Sequence, residues 1–149
     1  MEPLAPGSTA PPTPSFDITA GPKVLFFYKV TCPVCQMAAP KVQAFEEVYP
    51  GSILGVGQDP KEKLLEFSRT SGMTFRSVPD LDPYDASNRW GIRIVPTTFL
   101  VDGETVVDTV ESWDRDGLNR VSKTVAEMTG TAYRPISDPA DGLPELRPG

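Results

Sequence analysis

The chain has 149 residues, 39% of them apolar, which suits one domain with one real core. Its net charge is -6 and it has no histidine, which leaves no basic face for nucleic acid, no Ser-His-Asp or Cys-His pair and no histidine-based metal site. No run approaches the ~20 apolar residues that cross a bilayer, and the opening stretch carries proline instead of a signal peptide's basic start and apolar centre, so the sequence reads as cytoplasmic, or as extracytoplasmic if a signal segment was removed.

Prolines divide the chain. There are 17, with six in Met1–Pro22 and four in Tyr133–Gly149. The reading is a Pro-rich N-terminal arm over 1–22, a body over 23–130 and a Pro-rich tail over 131–149, both ends extended or loosely docked. In the body, Val24–Tyr28 is a short apolar run and predicts a strand buried on both faces. Met37, Ala38, Val42, Phe45 and Val48 then recur at helical spacing over 35–48, with Pro40 inside and a kink expected there. Pro50-Gly51 stops that helix. Ile53–Gly57 predicts a second strand; its Gly55-Val56-Gly57 lacks the third glycine of a dinucleotide fingerprint. A helix follows from about Pro60, capped by Asp59 or its neighbour and ended by Gly72.

Ser77–Asp80 is a brief extended piece, and Ala86–Trp90 a helical turn closed by Gly91. Pro96–Val101 is the next strand. Asp102-Gly103 turns it into an antiparallel return over Glu104–Val110. A last helix opens at Asp114 or Asp116, carries Leu118, Val121, Val125 and Met128 on one side, and closes at Gly130. The order predicts an α/β fold with a central mixed β-sheet flanked by helices on both faces. Trp90 reads as core packing or as a cover near the Pro96 loop, and Trp113 as packing at the opening of the last helix.

Cys32 and Cys35 are the only cysteines. They sit in Thr31-Cys32-Pro33-Val34-Cys35, between a buried strand and a helix. Pro33 suits the first helical position, where a missing N–H costs nothing. Cys32 then faces the unpaired N–H groups of the new helix, which favour a thiolate, and Cys35 lies one turn further in. This predicts Cys32 as the attacking sulfur and Cys35 as the resolving one, joined as a disulfide after turnover. Two cysteines do not complete a four-thiolate zinc site in a monomer, so no metal is expected. Pro96 either opens its strand in trans, as prolines commonly do, or follows a cis Val95–Pro96 bond that turns the Val95 backbone toward Cys32. In the second case the N–H and C=O of Val95 pair with an incoming peptide as one more strand edge.

Cys32-Pro33-Val34-Cys35, Pro40, Trp90-Gly91-Ile92, Val95-Pro96-Thr97 and the Asp102-Gly103 hairpin together resemble the thioredoxin superfamily over about Lys23–Gly130. The stretch Ile53–Asp80, with its additional helix, is similar to the TlpA/ResA-like and peroxiredoxin-like branch. The resemblance implies a thioredoxin-like fold, Cys32 as nucleophile, Cys35 as resolving thiol and a cis bond before Pro96. The sequence departs from the pattern at three points. Thr31 stands where thioredoxin has Trp. The dipeptide Pro33-Val34 is closer to glutaredoxin or DsbA and offers no imidazole. Phe26 takes the position of a buried acid that helps the resolving thiol lose its proton. Asp80, Asp82 and Asp85 are candidate substitutes for that acid, against the plainer reading of turn carboxylates. Lys29 is a candidate to stabilise the Cys32 thiolate by charge, against plain exposure.

The leading expectation is a thiol–disulfide oxidoreductase with no bound organic cofactor. Its partners are a disulfide-bearing protein or small thiol substrate and an external reductase or oxidant. Thr31, Val34 and Val95 line a shallow apolar groove. One alternative is a thiol peroxidase, for which Thr31 has the wrong spacing and Arg89 or Arg93 supplies the charge. Another is a non-enzymatic binding module on the same scaffold.

Overall fold

Alternation along one strand organises the molecule. In β1 (Pro22–Tyr28), residues Val24 to Tyr28 are all buried, but they serve two different cores. Val24, Phe26 and Tyr28 face one side of the sheet and Leu25 and Phe27 the other. A strand apolar on both faces belongs at the centre of a sheet covered on both sides.

The computed structural model describes residues 1–18 and 20–149. After β1 come α1 (Pro33–Val48), β2 (Ile53–Gly57), α2 (Lys61–Ser71), β3 (Ser77–Pro79) and α3 (Asp85–Trp90). They are followed by β4 (Thr97–Asp102), β5 (Thr105–Glu111), β6 (Trp113–Asp114), α4 (Arg115–Thr129) and β7 (Leu146–Arg147). The main sheet has the order β3-β2-β1-β4-β5. β1 pairs parallel with β2, in register Val24 to Ile53, and antiparallel with β4, in register Phe27 to Thr97. This is the mixed α/β sheet that the order of elements predicts.

The core on the Phe26 side takes Ala38, Val42 and Phe45 from α1, Leu64 and Phe67 from α2, and Leu118, Val121 and Val125 from α4. The core on the Phe27 side takes Ala86 and Trp90 from α3 and is closed by Ala10, Leu4 and Phe16 of the N-terminal arm. Gly57 lets α2 come down onto the sheet, because a Cβ there would overlap the Leu64 side chain. α1 is one helix of 16 residues with Pro40 inside it and on its exposed side.

Both Pro-rich ends are bonded to the body at several described residues. In the arm, the Gly7 N–H donates to Val106 O at 2.8 Å and the Ala10 N–H to Glu104 O at 2.7 Å, which extends the sheet beyond β5. The Trp90 indole N–H donates to Thr13 Oγ1 at 2.9 Å. In the tail, β7 pairs antiparallel with β6, and the Trp113 indole N–H donates to Pro144 O at 2.6 Å. The two-residue strands β6 and β7 have no periodicity to read in the sequence, so the strand pairing that docks the tail was not foreseen.

Candidate redox site

The site forms where β1 ends and α1 begins. β1 is the central strand, so its last residue delivers Lys29–Thr31 to the rim of the sheet. Cys32 is the N-cap residue of α1 and Pro33 occupies its first turn. The Cys35 N–H donates to Cys32 Sγ at 3.2 Å, and Cys32 Sγ lies 3.5 Å from Val95 O. The Cys32 N–H donates to the Lys29 carbonyl at 3.2 Å. Lys29 thus serves the turn through its backbone.

The two thiols are free and unequal in exposure. Cys32 is half-buried and Cys35 is fully buried against the Phe26-side core. Burial pushes the Cys35 thiol well above its ordinary value, and its hydrogen bond with the Cys32 sulfur adds to the rise. Tyr28 lies in the same buried layer. Burial pushes its phenol up to about 12, against the lowering effect of its hydrogen bond to Ser77 Oγ at 2.8 Å. Phe26 is buried and stacked on Tyr28 with ring centroids 5.2 Å apart.

The Val95–Pro96 bond is cis. Thr97 Oγ1 donates to Ile94 O at 2.8 Å, and the Ser112 N–H donates to Pro96 O at 2.8 Å. These bonds hold the loop across from the helix start. Thr31 and Pro33 are exposed on the rim. Val34, expected in the groove wall, is instead buried in the core at 5% exposure, since it starts the inward face of α1.

Two of the three candidate substitute acids are engaged elsewhere. Asp80 is buried, but both of its oxygens serve α3: it accepts from the N–H groups of Ala86 and Ser87 and from Ser87 Oγ, at 3.0, 2.8 and 2.6 Å. It is the cap of that short helix. Asp82 is exposed and precedes a cis proline, and Asp85 is exposed and pairs with Arg89 at 2.9 Å. Trp90 is fully buried between Phe27, Phe99 and Phe16, which makes it a core residue of the far face. Arg93 pairs with Glu111 at 2.7 Å, so each candidate peroxidase arginine, Arg89 and Arg93, has its charge met by a carboxylate.

One contributor was missed. Asp59, read only as a possible cap for α2, is buried, and its Oδ2 accepts from the Val30 N–H at 2.9 Å. α2 starts behind Pro60 with no side-chain cap. Asp59 therefore ties the end of β2 to the loop that presents Cys32. The signal for it was faint: an acid just after a strand reads first as a helix cap.

A scan against family models matches AhpC/TSA over residues 12–110. The chain belongs to the AhpC/TSA family. No curated protein matches this AhpC/TSA chain. Among solved structures it is similar to a putative protein disulfide isomerase from Bacteroides thetaiotaomicron, at 18% identity over 86% of this chain and 94% of that one, with a TM-score of 0.71. DsbF from Mycobacterium tuberculosis, in mixed oxidised and reduced forms, is 28% identical over 70% of this chain and 81% of that one, with a TM-score of 0.60. A secreted Mycobacterium tuberculosis disulfide oxidoreductase homologous to Escherichia coli DsbE is 19% identical over 60% of this chain and 68% of that one, with a TM-score of 0.53. The shared architecture is the thioredoxin-like fold. Among the described residues, no helix is long and apolar enough to cross a membrane, and no cluster of metal-ligating side chains occurs.

Proposed function

We propose that this member of the AhpC/TSA family is a thiol–disulfide oxidoreductase of the TlpA/ResA-like branch. The reading rests on one juxtaposition: a half-exposed sulfur at a helix N-cap beside the Val95 carbonyl, with a second sulfur buried one turn behind it.

The Cys32 thiolate attacks a substrate S–S bond. A mixed disulfide forms on Cys32, and one substrate thiolate leaves and takes up a proton. The backbone at Val95 and Pro96 aligns the substrate chain for that attack. Cys35 then loses its proton and attacks the Cys32 sulfur. The mixed disulfide breaks, the second substrate thiol leaves, and Cys32–Cys35 becomes a disulfide. Two electrons have passed to the substrate, and an external dithiol restores the pair. Run in reverse, the same steps oxidise a substrate dithiol. Burial holds the proton on Cys35 in the resting dithiol, so the first attack falls to Cys32. Exchange with a disulfide needs no resident metal or organic group.

Of the two compartments open to the sequence, the extracytoplasmic one has the better support, since one similar structure is of a secreted disulfide oxidoreductase. Turbidity from insulin reduction with dithiothreitol as electron source tests the assignment. Wild type accelerates the reaction and Cys32→Ser abolishes the acceleration. If wild type performs no exchange with insulin, dithiothreitol or glutathione, the fold serves as a binding module. A rapid stopped-flow loss of peroxide with the reduced protein, together with no disulfide exchange, moves the assignment to a thiol peroxidase.

A further inference from the structure

The tail runs back to the redox site. β7 is anchored on β6 by the Trp113–Arg147 and Asp114–Leu146 pairs. Beyond it, the Gly149 N–H donates to Ser112 Oγ at 3.1 Å. The Gly149 backbone lies so close to the Val95 carbonyl that a Cβ on residue 149 would overlap that oxygen. Arg147 also reaches α1, with its guanidinium 3.9 Å from Met37 Sδ. The Val95 carbonyl thus has the Cys32 sulfur on one side, at 3.5 Å, and the chain's own backbone on another.

We infer that Leu146–Gly149 selects which disulfides reach Cys32, by occupying the Val95 edge that the backbone of a protein substrate has to use. The inference rests on the oxidoreductase reading and adds a substrate preference to it. An extended peptide can form strand-like bonds to Val95 only where no other backbone already lies. A small disulfide needs the sulfur and not the edge, so it meets no such competitor. Beyond the β6 pairing, residues 148 and 149 are held near Val95 by one hydrogen bond and close packing, both of modest strength, so a tightly binding protein partner displaces them and a weak one does not. Glycine is the residue that permits the contact, since any side chain at 149 pushes the tail off Val95.

The test compares two disulfides on the full chain. Rates of reduction are measured for insulin and for 2-hydroxyethyl disulfide in wild type, Gly149→Val and Ser112→Ala. Gly149→Val removes the close approach, and Ser112→Ala removes the hydrogen bond without altering Gly149. Both variants are expected to gain about threefold to tenfold on insulin, the factor that loss of one hydrogen bond permits, with an unchanged rate on the small disulfide. Insulin rates equal to wild type in both variants overturn the inference and leave the oxidoreductase reading standing, as does an equal gain on both disulfides. Absence of activity on either disulfide in all three proteins overturns both readings together.

Discussion

Cys32 and Cys35 differ first in their contact with solvent, and the division of labour proposed for them follows from that difference. The half-exposed sulfur is reachable, while the buried one stays a thiol. In the reduced protein, iodoacetamide at neutral pH is therefore expected to label Cys32 and to spare Cys35 until the chain is unfolded. Peptide mapping checks this. Burial also sets the sign of a pH effect. The folded Cys35 holds its proton to higher pH than the unfolded thiol, so the unfolded state binds fewer protons once pH passes its own thiol value. Below that value Cys35 leaves the stability of the reduced protein unchanged. That stability is expected to fall by about 1.4 kcal/mol per pH unit above about pH 9. Urea melts of wild type and Cys35→Ser at pH 7 and 10 measure the loss, which the serine variant lacks. The thiol pair was legible in the sequence because strand, proline and spacing all bear on the same two residues. Val34 was misplaced because a helix's first inward position and a groove wall look alike until the helix is rotated into its packing.

At the scale of elements, the sheet was readable because each signal was local and strong. Val24–Tyr28, Ile53–Gly57 and the Asp102-Gly103 hairpin each sit where the sequence puts a strand or a turn. Polar contacts between elements were not readable, since they depend on which loops meet. Asp80 and Asp59 exchange their expected importance for that reason: one caps α3, and the other holds the Val30 amide of the loop before Cys32. Asp59→Ala leaves that amide without its acceptor and is expected to destabilise the fold by about 1–3 kcal/mol. It is also expected to slow reduction of both protein and small disulfides. Asp59→Asn keeps an acceptor oxygen and is expected to retain most of both. Chemical denaturation paired with a disulfide-exchange assay on the two variants separates the outcomes.

Taken whole, the molecule is a redox domain whose two ends wrap it. The tail is fixed by a buried polar network. The Arg115 guanidinium donates to Ser137 Oγ at 3.1 Å and to Leu143 O at 2.7 Å, and it lies 3.5 Å from Asp141 Oδ1. Asn119 Oδ1 accepts from the N–H groups of Ile136 and Ser137. Bonds from Ser137 Oγ and the Leu143 N–H, joined by Lys41, hold the Asp141 carboxyl well below the usual carboxylate range. That contribution is fully present above the unfolded carboxyl's value and is lost progressively as pH falls from there through the lowered folded value. Arg115→Ala is expected to cost about 3 kcal/mol and to open residues 131–149 to limited proteolysis at neutral pH. An uncleaved tail in that variant would place its anchorage elsewhere. Proline content marked these ends as extended segments, but Arg115 and Asp141 gave no pattern that would reveal a strap, because they are 26 residues apart.

The order of attack at the thiols is tested most directly by trapping. Cys35→Ser is incubated with a disulfide-bearing peptide, and the adduct is located by mass spectrometry. A stable mixed disulfide on Cys32 is expected, with Cys32→Ser yielding none. An adduct carried by Cys35 in the Cys32→Ser variant, or none in Cys35→Ser, would contradict attack from the exposed sulfur with resolution from the buried one.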